Sequence, residues 1–239
     1  MTTFSPTLPR TRPTRASSSI ATFVRENGLS LVLVAMFLAA TAAQIGFGVA
    51  AYNEERAHDG LAAVGVGAYL SSGHFLEALF ENWESEFLQM GVFVLLSVKL
   101  RQKGSAESKP LDEADETDED PRLHTKDPDV PWPVQKGGLL LVLYEHSLAT
   151  AFFLLFVVSF VLHAVGGFLK TNEENIAQGR PAETLAQYWA SSQFWFESFQ
   201  NWQSEFLAVL AIVVLTIFLR QRGSPQSKPV AAPHHDTGK

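Results

Sequence analysis

The chain has 239 residues, 46% of them hydrophobic, with a formal net charge of -7 and no cysteine. The absence of cysteine excludes disulfides, thiolate metal sites, iron–sulfur clusters and cysteine nucleophiles, and the acidic balance argues against a nucleic-acid binder. A mean hydropathy near zero conceals two populations, long apolar stretches and strongly polar ones, so the chain has to be read segment by segment.

Residues 1–25 open with a Ser-, Thr-, Pro- and Arg-rich stretch that cannot bury a core, and they read as a disordered cytoplasmic tail. Residues 28–52 carry no charge and exceed the roughly 20 apolar residues that cross a hydrocarbon core; they predict a first span. A cleaved signal peptide is the rival, since arginines precede the run and Ala39, Ala40, Ala42 and Ala43 could form a cleavage site. The run is longer than a usual signal core, and a similar run recurs in mid-chain.

A loop with Glu54, Glu55 and Asp59 follows, and Ser71 and Ser72 are placed to cap the next helix. The uncharged run 87–98 is too short to cross alone, so a second span over 80–101 takes in Phe80, Asn82, Trp83, Ser85 and Glu86. Residues 111–144 form an acidic linker, with seven acids among residues 112–120 that repel one another and stay solvated. A third span over 147–170 and a fourth over 199–220 follow, the last again carrying an acid, Glu205, and residues 230–239 read as a second disordered tail.

Shifting the chain by 119 residues aligns 26–110 with 145–229 without a gap. About a third of the pairs are identical, a register best explained by duplication. Each copy holds two spans, so both enter the membrane in one direction, giving a parallel repeat about an axis along the membrane normal. The predicted fold is all-α: a transmembrane four-helix bundle from two tandem parallel two-span repeats. Arg10, Arg12, Arg15, Arg25, Arg101, Lys103, Arg220 and Arg222 flank span ends on one side, which puts both termini and the linker in the cytoplasm.

Candidate chemistry is sparse. Glu86 and Glu205 hold equivalent positions inside spans, where a carboxylate is costly unless paired, hydrated or protonated. Asn82 and Ser85 share the first acid's face, as Asn201 and Ser204 share the second's. These six form a candidate ion site or hydrogen-bonded helix glue. If the two acids met, one would hold a proton. His163 lies in the third span with Gln44 at the equivalent position of the first, as a relay or a packing group. No HExxH, metal-ligand spacing, phosphate loop or GxSxG elbow occurs, so no metal, cofactor or catalytic residue is expected.

The segments NEERAHDG, FENWESEFLQM, FQNWQSEFLAV and LRQRGSPQSKP together resemble a family of bacterial membrane proteins known only as a domain of unknown function. The resemblance covers nearly the whole chain beyond the N-terminal tail. It implies a multi-pass protein of the bacterial inner membrane and brings no activity with it. The first copy departs from the pattern with Ala106 where the second has Pro225. The expected role is non-enzymatic, accessory or structural, with the lipid bilayer and a second copy or a membrane protein as partners. The alternative is a small proton or cation conductor using the paired glutamates, and an enzyme ranks third.

Overall fold

A computed structural model describes residues 20–112 and 115–238; the expected tail over residues 1–19 lies outside them. Among the described residues the chain is helical with no strand: α1 (Ile20–His58), α2 (Val66–Leu70), α3 (Gly73–Lys99), α4 (Trp132–Lys136), α5 (Gly138–Glu145), α6 (Ser147–Ala177), α7 (Leu185–Trp189) and α8 (Ser192–Phe218). It falls into two units, residues 1–48 and 49–239. The first contributes the N-terminal part of α1, which starts at Ile20, inside the stretch read as a tail, and presents its apolar side chains on its surface. α1, α6 and α8 are long and apolar enough to cross a membrane. α3 has the length, but Glu77, Glu81, Glu84 and Glu86 crowd its first half.

Within the second unit, helix ends are fixed by local chemistry that recurs 119 residues on. After α1, Gly60 at φ 70° lets Leu61 N donate to Arg56 O (2.8 Å) and Gly60 N to Ala57 O (3.2 Å), the two bonds of a Schellman ending. After α6, Gly179 at φ 66° does the same, with Arg180 N on Asn175 O and Gly179 N on Ile176 O. The amides of Asn53 and Asn172 then close their loops by bonding both backbone groups of Val64 or Glu183, donating to O at 3.0 Å and accepting from N at 2.7 and 2.8 Å. Ser72 and Ser191 accept from Phe75 N and Phe194 N, capping α3 and α8.

The far ends of α3 and α8 carry no glycine cap. Both helices stop in an extended residue, Leu100 or Leu219, several positions before Gly104 and Gly223. Arg101 and Arg220 each turn an Nη1 back onto the last free carbonyls, as suits a helix C-terminus. The glycines instead serve the following turns, where Ser105 N and Ser224 N reach Gln102 O and Gln221 O.

Residues 230–238, expected to be loose, fold back instead. Lys228, 2% exposed, donates to the carbonyls of Pro233, His234 and Asp236 at 2.7–3.2 Å. Gly104 N reaches Thr237 Oγ1 (2.9 Å) and Gly238 N reaches Ser105 O (3.0 Å). The linker holds two short 3-10 turns capped by Asp115 and Asp120, and Lys109 pairs with Asp118.

The core is the antiparallel pair α3 and α6, with α8 against α3. Glycines set its spacing. A Cβ on Gly73 would meet Gly166 O at 2.6 Å and one on Gly166 would meet Glu77 Cα at 2.9 Å, while Gly91 faces Phe153. Helices in lipid gain by such close approach, because side-chain burial gives them no hydrophobic drive.

Candidate functional site

α3 turns an unusual face toward α6. His74, Glu77, Glu81 and Glu84 recur at spacings of three and four, which places them along one side of a helix. This seam would ordinarily be apolar.

Each carboxylate has a partner from α6 or α8. Glu77, 6% exposed, accepts from Lys170 Nζ at 2.7 Å, and its Oε1 lies against Gly167, where a Cβ would approach to 3.0 Å. Glu81 accepts from Asn201 Nδ2 at 2.5 Å. Glu84 is wholly buried; its Oε2 is 3.0 Å from His163 Nδ1 and its Oε1 accepts from Trp202 Nε1 at 3.2 Å. His163 is wholly buried too, and its Nε2 faces Glu197 Oε2 of α8 at 3.6 Å, beyond hydrogen-bond length and without another partner. Glu197 also accepts from Gln193 Nε2 (2.6 Å) and Tyr188 Oη (3.3 Å). Tyr188 belongs to α7, outside the candidate spans. Desolvation first, then the surrounding carboxylates, push its phenol well above the ordinary value, so it serves as a neutral donor.

Aromatic rings wall the site. Phe194 lies 5.0 Å from the His163 ring and 5.2 Å from Phe160, and Trp195 and Trp202 pack beside Phe160. The hydroxyl of Ser198, buried on α8, has no hydrogen-bond partner. Four carboxylates thus share an apolar enclosure with two basic groups, His163 and Lys170. Such an enclosure tolerates charge only in compensated form. Among the described residues no cluster of His, Asp and Glu suited to a metal ion occurs.

The residues singled out from sequence are placed as follows. His163 is at the centre. Asn201 joins it through Glu81 and also bonds Glu197 O at 3.0 Å. Ser85 is buried but bonds only Asn82 O of its own helix, Asn82 bonds Ala78 O, and Ser204 bonds Asn201 O. Glu86 is exposed and Glu205 half-buried, and the charge of Glu205 reaches Glu86. Gln44 is half-buried in α1, in the other unit.

Sequence reasoning missed Glu77, Glu81, Glu84, Glu197 and Lys170. Spacing along α3 was the available signal for the first three. Selection by identity between the copies favoured Glu86, whereas Glu84, two residues earlier, points about 200° away around the helix.

No curated protein matches the chain, and no solved structure does. The profile of one family matches residues 20–239, and the chain belongs to that family, a domain of unknown function, DUF6766.

Proposed function

We propose that this chain is a non-enzymatic, multi-pass membrane protein whose working element is the His163 cluster, a buried set of ionisable groups that takes up and releases protons from one side of the bilayer. The observation that carries the reading is His163 itself, fully enclosed, with one ring nitrogen on Glu84 and the other left open toward Glu197. Ionisable groups at such depth are costly and mark proton and ion paths.

Comparison between the two sequence copies supports a role for the charge rather than for polar adhesion. The positions 119 residues from Glu77, Glu81, Glu84, His163, Lys170 and Glu197 are Phe196, Gln200, Gln203, Gln44, Ala51 and Ala78. None is ionisable, although the capping serines, loop asparagines and terminal arginines recur.

In this reading α3 is a fourth span, because it packs antiparallel along α6 from Gly73 beside Lys170 to Gly91 beside Phe153, roughly 27 Å at the rise of a helix. The two copies then lie parallel in a bacterial inner membrane, with the arginine-flanked helix ends cytoplasmic and the Asn53 and Asn172 loops outside. The titratable ladder runs inward from those loops and stops at Glu84 and Glu86; residues 87–98 of α3 and 206–219 of α8 carry no ionisable group. A ladder that ends part-way suits proton loading from outside better than conduction across the membrane.

The test is nitrogen-15 NMR of histidine-labelled full-length protein in nanodiscs between about pH 4 and pH 10, a range that brackets the ordinary imidazole value, alongside proton flux in liposomes. The expected result is a reversible titration that disappears in His163→Gln and moves in Glu84→Gln, with no sustained flux. A His163 ring whose state never changes would overturn the proposal, and sustained flux abolished by Glu84→Gln would make the protein a conductor.

A further inference from the structure

Aromatic rings line the cluster and the half of α3 beyond Glu86 carries no ionisable group up to Val98, so protons need a route, and the same seam supplies one. Toward the loops, a cleft of about 450 Å³ is bordered by Glu54, Glu55, Asp59, Glu174 and His74. His74 stands where the cleft meets α3. Its Nε2 is 3.8 Å from Glu55 Oε2, and its buried Nδ1 has no hydrogen-bond partner. Tyr52 and Tyr69 pack on its ring at 5.1 and 5.8 Å, and the charges of Lys170 and Glu173 from α6 reach it.

One turn deeper on the same face is Glu77, held by Lys170 and within electrostatic reach of Glu197 and Glu81. Glu81 in turn is coupled to His163, Glu197 and Glu84. At the inner end two buried polar atoms lack partners, His163 Nε2 and Ser198 Oγ. Ser198 follows Phe194 by four residues, so it shares the side of α8 whose Phe194 ring lies against His163. Together with the Glu197 carboxylate they offer a water molecule the two to four polar partners that an internal water requires.

Resting on the function proposed above, we infer that protons reach His163 from the outer cleft through His74 and the α3 carboxylates, the last step crossing a water held by His163 Nε2, Ser198 and Glu197. The groups facing His163 are Glu81 and Glu84 from α3 and Glu197 from α8; beside them Tyr188 from α7 is bonded to Glu197 and Lys170 from α6 to Glu77. His74 passes a proton between Glu55 and Glu77, and no bond other than O–H and N–H is made or broken.

Trp202, which donates to Glu84, is a built-in reporter. The experiment uses full-length protein in liposomes sorted by orientation, with a stopped-flow acid jump in the compartment facing the Asn53 and Asn172 loops and the Trp202→Phe signal subtracted. The parent gives a fast fluorescence change. In His74→Gln the amplitude persists while the rate falls on the order of ten-fold or more, as for loss of a positioned proton-transfer group, and added imidazole restores it. Ser198→Ala slows the change as well.

An unchanged rate in both His74→Gln and Ser198→Ala, or a faster response to acid from the opposite compartment, would overturn the route while the titrating cluster stands. A parent that shows no Trp202-dependent change at any pH would overturn the route and the proposed function together.

Discussion

Replacing the charged pair at the centre of the site by glutamines, the residues that stand 119 positions from Glu84 and His163, separates chemistry from architecture. Glu84 and His163 are both wholly buried, so solvent does not discount their interaction. Glu84→Gln keeps an acceptor for Trp202 and for His163 Nδ1–H and loses only charge assistance, about 1 kcal/mol. His163→Gln leaves Glu84 without its imidazole partner, and removing one partner of a buried pair costs about 3–5 kcal/mol. With both changes the pair is neutral and hydrogen-bonded again, and replacing a whole buried pair is close to neutral. The double variant should therefore lie within about 1 kcal/mol of the parent, a coupling of about 3–5 kcal/mol. Reversible unfolding of the full chain in mixed micelles by added dodecyl sulfate, followed by circular dichroism, measures all four corners of the cycle. A double variant as unstable as the sum of the single ones would refute the pairing.

Gly166→Ala forces a Cβ onto the backbone of Leu76 and Glu77 and should cost about 1–3 kcal/mol in the same assay, as overpacking does; Gly28→Ala, with open space around it, should be neutral or slightly stabilising. The Tyr188 phenol is pushed up by burial, so the folded state keeps its proton longer than the unfolded one. Its contribution is full below the unfolded value near 10 and fades as pH rises beyond it toward the folded value, and Tyr188→Phe should flatten the alkaline loss of stability seen by circular dichroism. Lys228→Met removes the donor that holds three tail carbonyls. Limited proteolysis should then cut within residues 229–238 while leaving α8 intact, and a tail as resistant as the parent's would show that Gly104 and Ser105 hold it alone.

The apolar helices were legible because lipid imposes one rule on every residue of a span: α1, α6 and α8 stand close to where uncharged runs predicted them. Serine capping at Ser72 was legible for a similarly local reason. The tail over residues 230–238 was not, because its order comes from Lys228, Gly104 and Ser105, brought together only by tertiary structure. The candidate site was half legible. His163 and Asn201 declared themselves as polar residues in apolar company, whereas Glu77 and Glu84 belong to a stretch of α3 acidic enough to pass for a solvated surface. Their burial depends on Gly73, Gly166 and Gly167, whose missing side chains admit them beside α6.

That glycine seam also decides which parts can move. Where α3 and α6 run backbone against backbone at Gly73 and Gly166, there is no compliant layer of side chains between them to absorb a displacement, and the two act mechanically as one stave. α8 meets α3 over a much shorter length and reaches the cluster through side chains, Asn201, Trp202 and Glu197. Of the helices around His163, α8 is thus the one free to shift, and any such shift is carried along it to Arg220, whose Nη2 holds the tail at Ala232 O.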